Sequence, residues 1–298
     1  MKIGIGEIDY APPVGLPLMG NLRKDYVSKG VHDPLCAKAM VFEDSSGTKV
    51  AILTVDICML NREQVAGMRA NISVQSGIPA GRILIAATHT HSGPATMQKH
   101  VWPEVNDAEI RVFLARAAQA AVLADKDLQE GALRLGRSRE DRVSFCRRVL
   151  CKDGQCHMNW ESIEPDFEKR PLGEFDPELI AMSVDRGSAP NAAVVNFGLH
   201  PAILDYANNL YSADYPGFLA EVMRRLSGDR FTTLFFNGCC GNVNHINHRD
   251  PTSPRRGYDM AQRVGYMLGV AAKQAVNRSR PVVGEPIAAS SELVMLKR

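Results

Sequence analysis

No stretch of this 298-residue chain approaches 18 consecutive apolar residues, which excludes a transmembrane helix. An export signal is missing too. Met1-Lys2-Ile3-Gly4-Ile5-Gly6-Glu7-Ile8-Asp9 meets an acidic residue too early for the apolar core of a leader. Lysine and arginine are scattered, the formal net charge is +2, and no basic stripe argues for a nucleic-acid partner. The short run Arg255-Arg256 reads as a solvated loop rather than a phosphate clamp. The seven cysteines (36, 58, 146, 151, 156, 239 and 240) form an odd set with no zinc-ribbon repeat. Several lie in apolar runs, and without a leader they read as reduced thiols of a cytoplasmic protein. Low-complexity segments and disordered linkers are absent, so no domain boundary is legible and residues 1–298 read as one domain.

What remains is an ordinary globular composition, 45% hydrophobic and 23% charged, in a chain long enough to bury a large core. Lys49–Asp56 is a strongly apolar strand ending on a carboxylate, followed by a helix from about Arg62 to Ser76 that Gly77-Ile78-Pro79 closes. A second helix spans Asp107 to about Leu123, with Asp107 placed to cap it. Ala132 to Met158 is strand-like, with a hairpin at Asp153-Gly154, and Glu161 to Pro177 reads as an acidic surface loop. Ala192–His200 and Phe231–Phe236 are further strands, separated by a helix that ends near Leu226. Strand–helix–strand therefore occurs twice. The predicted fold is α/β, with parallel crossover units in sheets flanked by helices.

The chemistry concentrates in Ala86-Ala87-Thr88-His89-Thr90-His91-Ser92-Gly93-Pro94, directly after the apolar run Ile83-Leu84-Ile85. In extended backbone, residues i and i+2 share a face, so both rings can aim into one pocket. Neutral imidazole is a zinc ligand and a general base, which points to hydrolysis. His200 ends the matching strand of the second unit, and Asn237-Gly238-Cys239-Cys240-Gly241-Asn242-Val243-Asn244-His245 follows the next one. Functional loops of α/β proteins gather at the carboxyl ends of parallel strands, so His89, His91 and His200 are expected to converge. A serine nucleophile at Ser92 is disfavoured, because the G-x-S-x-G elbow is missing.

Taken in order, these segments resemble the N-terminal catalytic region of the neutral/alkaline, non-lysosomal ceramidases. Gly6-Glu7-Ile8-Asp9 with Pro12-Pro13 and Gly15 is similar to the family's G-x-x-D-I-T-P-P-x-G opening. Leu53-Thr54-Val55-Asp56 resembles V-S-x-D, and Ala87–Pro94 resembles A-T-H-T-H-S-G-P, the most specific match. Asn196-Phe197-Gly198-Leu199-His200-Pro201 resembles N-F-x-x-H-P, and Ser212–Gly217 resembles S-x-D-x-x-G. Asn237–Asn242 looks like a variant of N-G-x-x-G-D-V with Asn242 in the acidic place.

The resemblance implies a zinc (Zn2+) amidohydrolase. Because the chain shows no export signal and no obvious amphipathic segment to meet a bilayer, the expected substrate is a small N-acyl or amide compound rather than ceramide itself. The resemblance assigns zinc to His89 and His200, and the scissile carbonyl or its oxyanion to His91. Arg147 would stabilise that oxyanion, with Arg148 its competitor. The family completes its zinc site with a downstream glutamate and tyrosine, which have no counterpart before Arg298. Either the chain is truncated or a local group substitutes: Asp56 and Asp214 first, then His245 and His248. His32, His100 and His157 receive no role. The alternative is a metal-deficient ligand-binding or accessory domain without hydrolytic activity.

Overall fold

Period-two alternation sorts strand residues onto two faces, and here both faces are buried. The computed structural model describes all residues except 11, 24, 98–103, 165, 190, 205, 206, 251, 253, 283–285, 293 and 296–298. Strands β1 (Lys2–Asp9), β2 (Cys36–Glu43), β3 (Lys49–Val55) and β4 (Ile83–Ala87) lie side by side in the order β4-β3-β2-β1. The β1–β2 and β2–β3 pairs are antiparallel, whereas β3 and β4 run parallel. Helix α1 (Arg62–Ser76) makes the crossover between them. Its start is fixed by a capping box: Gln64 N–H donates to Asn61 Oδ1 at 2.8 Å and Asn61 N–H to Gln64 Oε1 at 3.0 Å. Helix α2 (Asp107–Lys126) packs on the same sheet, and Gln129–Glu130 then adds to the free edge of β1.

The second half repeats this plan element by element. Strands β5 (Ala132–Arg139), β6 (Glu178–Asp185) and β7 (Ala192–Phe197) are antiparallel neighbours. Helix α3 (Tyr215–Ser227) crosses over to β8 (Thr232–Asn237), which lies parallel to β7. Helix α4 (Tyr258–Asn277) covers the sheet, and Arg280–Pro281 adds to the edge of β5. The expected crossover units are thus parts of a longer β-β-β-α-β-α-β repeat.

Ala37, Ala39 and Val41 of β2 face the helices, while Met40 and Phe42 between them face the other sheet. There they meet Val184, Ala192 and Leu234 of the second half. The result is four layers, helices–sheet–sheet–helices, with a core in each of the three gaps. Both strand faces are covered, so β3 and β8 read as continuous apolar runs.

Three local expectations change. Helix α2 is capped by Asn106, whose Oδ1 accepts from Ala108 N–H at 2.9 Å, and Asp107 is its first residue. Glu168–Pro171, expected as loop, pairs with Arg148–Cys151. Helix α4 was not read from the sequence at all, although Met260, Ala261, Val264, Leu268, Ala272 and Ala275 recur at helical spacing on its buried face. His100 lies outside the described residues.

Helix and sheet approach closely in both halves because glycine leaves room. A Cβ on Gly4 would stand 1.8 Å from the Ala124 carbonyl oxygen, and one on Gly136 would stand 1.9 Å from that of Ala275. Both contacts are with backbone, which cannot rotate away. Gly136→Ala and Gly4→Ala should therefore each lower the unfolding free energy by about 1–3 kcal/mol in urea titrations. Gly67, in α1 with nothing within 4 Å of its Cβ position, is the opposite case. Gly67→Ala should raise stability by about 0.5–1 kcal/mol.

Candidate metal centre

Four strand ends face one another at a single edge of the two sheets. β3 runs into Asp56-Ile57-Cys58, β4 into Thr88–His91, β7 into Gly198-Leu199-His200 and β8 into Gly238-Cys239-Cys240. Backbone bonds tie these loops together: Thr88 N–H donates to Val55 O and His89 N–H to Ile57 O, both at 2.9 Å. His91 N–H donates to Pro201 O at 3.0 Å and so joins the two halves.

His89, His91 and His200 do converge. Their ring centroids are 5.2 Å (His89–His91), 4.7 Å (His89–His200) and 4.9 Å (His91–His200) apart. The expected reason was only partly right. β4 ends at Ala87, and His89 has a φ of 75°, so a left-handed kink rather than an extended strand aims its ring. Gly20 makes room for His91: a Cβ there would stand 2.4 Å from the imidazole Cγ.

Hydrogen-bond partners fix the tautomers. His89 Nδ1 lies 2.7 Å from the Cys58 carbonyl and His200 Nδ1 lies 3.2 Å from the Cys240 carbonyl. A carbonyl only accepts, so both Nδ1 atoms carry a proton, and on the neutral ring of His200 the Nε2 atom carries a lone pair. For His91 the logic runs through Tyr26, whose hydroxyl donates to the His91 carbonyl at 2.8 Å and accepts from Asn21 Nδ2 at 3.0 Å. Asn21 Oδ1 is then the atom 3.4 Å from His91 Nδ1, so that nitrogen also bears its proton. His91 Nε2 and His200 Nε2 stand 3.1 Å apart. Two facing lone pairs repel unless a positive charge, proton or metal ion, lies against them.

Burial holds both of these rings neutral. It pushes His91 well below the ordinary histidine range, with His200 and His89 adding to the effect. It lowers His200 to about 4, helped by His89. Among the described residues, two sets of donor atoms lie within 4.8 Å of one another: His89, His200 and Cys240, and Cys58, His89 and His91. Neutral imidazoles, oriented by Nδ1–H bonds to carbonyls and adjoined by a thiol, are a donor set that fits a zinc-type ion.

A cavity of about 770 Å³ opens onto His91 and His200, and Arg147 lines it beside Trp160. The Arg147 guanidinium lies 6.0 Å from the Trp160 ring centroid. Arg148 instead donates to Asn242 Oδ1 at 2.8 Å and is absent from the lining. Ser92 is buried, and its Oγ accepts from Asn208 Nδ2 at 2.9 Å. His245 lines the cavity with its Nε2 2.8 Å from the Arg255 carbonyl, whereas His248 sits elsewhere against Glu168 at 3.1 Å. His32 stacks on Tyr258 and His157 is held by Asp153 and Glu161. Cys58, Cys240, Asn21, Tyr26 and Trp160 were not singled out from the sequence. The strand-end rule had already marked the ends of β3 and β8, but at the first it picked out the carboxylate of Asp56 and at the second it singled out no thiol.

Neither Asp56 nor Asp214 is brought into a donor set with these histidines. Asp56 is committed to Cys36 N–H (2.9 Å) and Thr88 Oγ1–H (3.1 Å), which fixes the start of the histidine loop. Asp214 accepts from Ile203 N–H at 3.0 Å, Leu204 N–H at 3.2 Å and Tyr215 N–H at 2.6 Å, and so clamps the loop after His200. Its backbone (φ 59°, ψ −155°) is in a region that costs a non-glycine residue about 1–3 kcal/mol. Burial raises its carboxyl from 3.8 to about 7. With a folded pKa above the unfolded one, the unfolded chain releases this proton first. The Asp214 contribution is therefore complete below about pH 4 and falls away as pH rises to about 7. Urea denaturation across that range should show declining stability, with the slope reduced in Asp214→Asn.

Solved structures share this architecture. The neutral ceramidase of Pseudomonas aeruginosa superposes with a TM-score of 0.77 at 20% identity, covering 95% of this chain and 46% of that one. A ceramidase complexed with C2 gives a TM-score of 0.79 at 19% identity over 95% and 45% of the respective chains. At such identities the likeness establishes the fold. In sequence, the neutral ceramidase of Drosophila melanogaster is 30% identical over 237 residues, 75% of this chain and 32% of that protein. The Pseudomonas aeruginosa enzyme is 23% identical over 305 aligned positions, 95% of this chain and 43% of its own length. The chain thus spans less than half of these curated relatives. The description that matches residues 1–250 is that of neutral/alkaline non-lysosomal ceramidase, N-terminal. That stretch contains every strand end and all three converging histidines, and by it this chain belongs to the neutral/alkaline non-lysosomal ceramidase family.

Proposed function

We propose that this chain hydrolyses the amide bond of a small N-acyl compound, with zinc held by His89 and His200 and the scissile carbonyl met by His91 and Arg147. One observation carries the reading: imidazoles from both halves of the repeat meet at centroid distances of 4.7–5.2 Å beside a cavity that Arg147 also lines. Zinc bound there would lower the pKa of a water and polarise the carbonyl.

The protein's own groups supply the remainder. His89 and His200 present their Nε2 atoms, oriented by their Nδ1–H bonds to Cys58 O and Cys240 O. His91, kept neutral by burial and proton-bearing at Nδ1, can accept a proton from water at Nε2. Once protonated there, it can hydrogen-bond to the oxyanion or return the proton to the leaving amine. Arg147 opposes the developing negative charge from a half-buried position, where a cation acts more strongly than in bulk water. Cys240 stands within reach as a third donor to the ion. Family membership supports the amide-hydrolase class, and the cavity's size suits a small ligand.

Protein purified from metal-replete cells should contain about one zinc per chain by elemental analysis. His89→Ala and His200→Ala should lose it while remaining folded by circular dichroism, and His91→Ala should retain it. A folded wild-type protein without zinc would count for the metal-deficient binding domain instead. On a panel of N-acyl compounds, His91→Ala should lower kcat by roughly 10²–10⁴-fold. Arg147→Ala should lower it by roughly 10²–10³-fold.

A further inference from the structure

The wall of the cavity is rich in arginine. Its lining includes Arg23, Arg147, Arg255 and Arg256, and among the described residues it includes no aspartate or glutamate. Arg23 is held by both oxygens of Asp25, each at 2.9 Å. Arg147 and Arg255 differ: among the described residues neither has a carboxylate within ion-pair distance. Outside the cavity, carboxylate pairing of arginine is common, as in Arg249–Glu168 at 2.6 Å and Arg139–Asp141 at 3.1 Å.

Trp160 organises the two unpaired cations. The Arg147 guanidinium lies over its ring, and Arg255 donates from Nη1 to its carbonyl at 3.2 Å. The main chain of Arg255 is fixed in turn, because its own carbonyl accepts from His245 Nε2 at 2.8 Å. So Arg255, which the sequence placed in a solvated loop, is half-buried and anchored at a cavity wall. Two guanidinium groups in one concavity repel each other, and an anion relieves that repulsion. The planar fork of donors matches a carboxylate in particular.

Resting on the amide-hydrolase reading above, we propose that the substrate is an N-acyl amide whose amine part carries a carboxylate, as in an N-acyl amino acid. Arg147 serves the negative charge that develops at the scissile carbonyl. Arg255 binds the permanent charge of the carboxylate. The acyl chain has apolar surface available in the same cavity, at Leu22, Ala202 and Ile246.

N-hexanoylglycine and its neutral isostere N-hexanoylglycinamide separate charge from shape. Calorimetric titration of metal-free protein at low salt should give at least about tenfold tighter binding of N-hexanoylglycine, the scale of a hydrogen bond to a charged group. That ratio should shrink in 500 mM NaCl and fall towards one in Arg255→Gln. Equal affinity of the wild-type protein for the two compounds would overturn the proposal. So would a ratio that survives both salt and Arg255→Gln when the variant's unfolding midpoint is unchanged. If the variant does not fold, the wild-type ratio and its salt dependence decide the matter. Release of hexanoate by zinc-loaded protein is scored separately. Binding preference without release sinks the hydrolase reading and leaves the carboxylate site standing; release from both compounds at equal kcat/KM sinks the carboxylate site alone.

Discussion

Backbone hydrogen bonds from His91 N–H to Pro201 O at 3.0 Å and from Ser212 N–H to Ser92 O at 3.1 Å join the two halves of the molecule at the site. They can form because the apolar layer between the sheets brings the ends of β3 and β4 against those of β7 and β8. Ile3, Met40 and Phe42 on one side and Val184, Ala192 and Leu234 on the other make that layer. Each half alone offers two strand ends with an incomplete set of polar groups. Packed sheet to sheet, they form one edge on which imidazoles from both can meet. Burial of those six side chains is therefore a precondition for the chemistry as well as for stability.

Bringing three imidazoles together favours the neutral form of His91 and His200. Burial disfavours the protonated form of His91 and His200, and Arg147 disfavours it further. Carbonyls of Cys58 and Cys240 and the amide of Asn21 then accept the Nδ1 protons, so the rings stay oriented without carboxylates beside them. The buried carboxylates serve the loops instead. Asp56 bonds to Thr88 immediately before His89, and Asp214 holds Ile203 and Leu204 immediately after His200. Keeping these charges one step removed leaves the imidazole edge free for a cation of external origin.

Besides the α/β class and the family, many of the features read correctly from the sequence are local ones. Apolar runs bounded by turn residues gave β3, β4, β7 and β8, and Gly77 with a φ of 74° closes α1 as expected. The strand-end rule brought His89, His91 and His200 together across more than a hundred residues. It could not supply Asp56 or Asp214 as ligands, because a carboxylate at a strand end is as readily used to cap backbone N–H groups. Distinguishing the two requires knowing which amides lie opposite, and that is long-range. The same limit hid Arg255 and Trp160. Both lie in connections whose composition resembles solvent-facing loop, and only the packing of residues 140–177 against residues 244–256 turns them into a wall.

The repeat explains where the cavity wall comes from. In each half, the connection between the first two long strands is an extended insertion, residues 10–35 in one and 140–177 in the other. These insertions carry no strand of the two main sheets, so their sequences are not bound by the alternation that both buried faces impose. Yet they supply Gly20, Asn21 and Arg23 from one side and Arg147 and Trp160 from the other. The metal-type donor set comes from the strand ends, whereas most of the rest of the cavity is lined by these insertions together with the connection between β8 and α4, which carries Arg255. A change of substrate charge can then proceed through residues such as Arg255 and Trp160 without disturbing His89, His91 or His200.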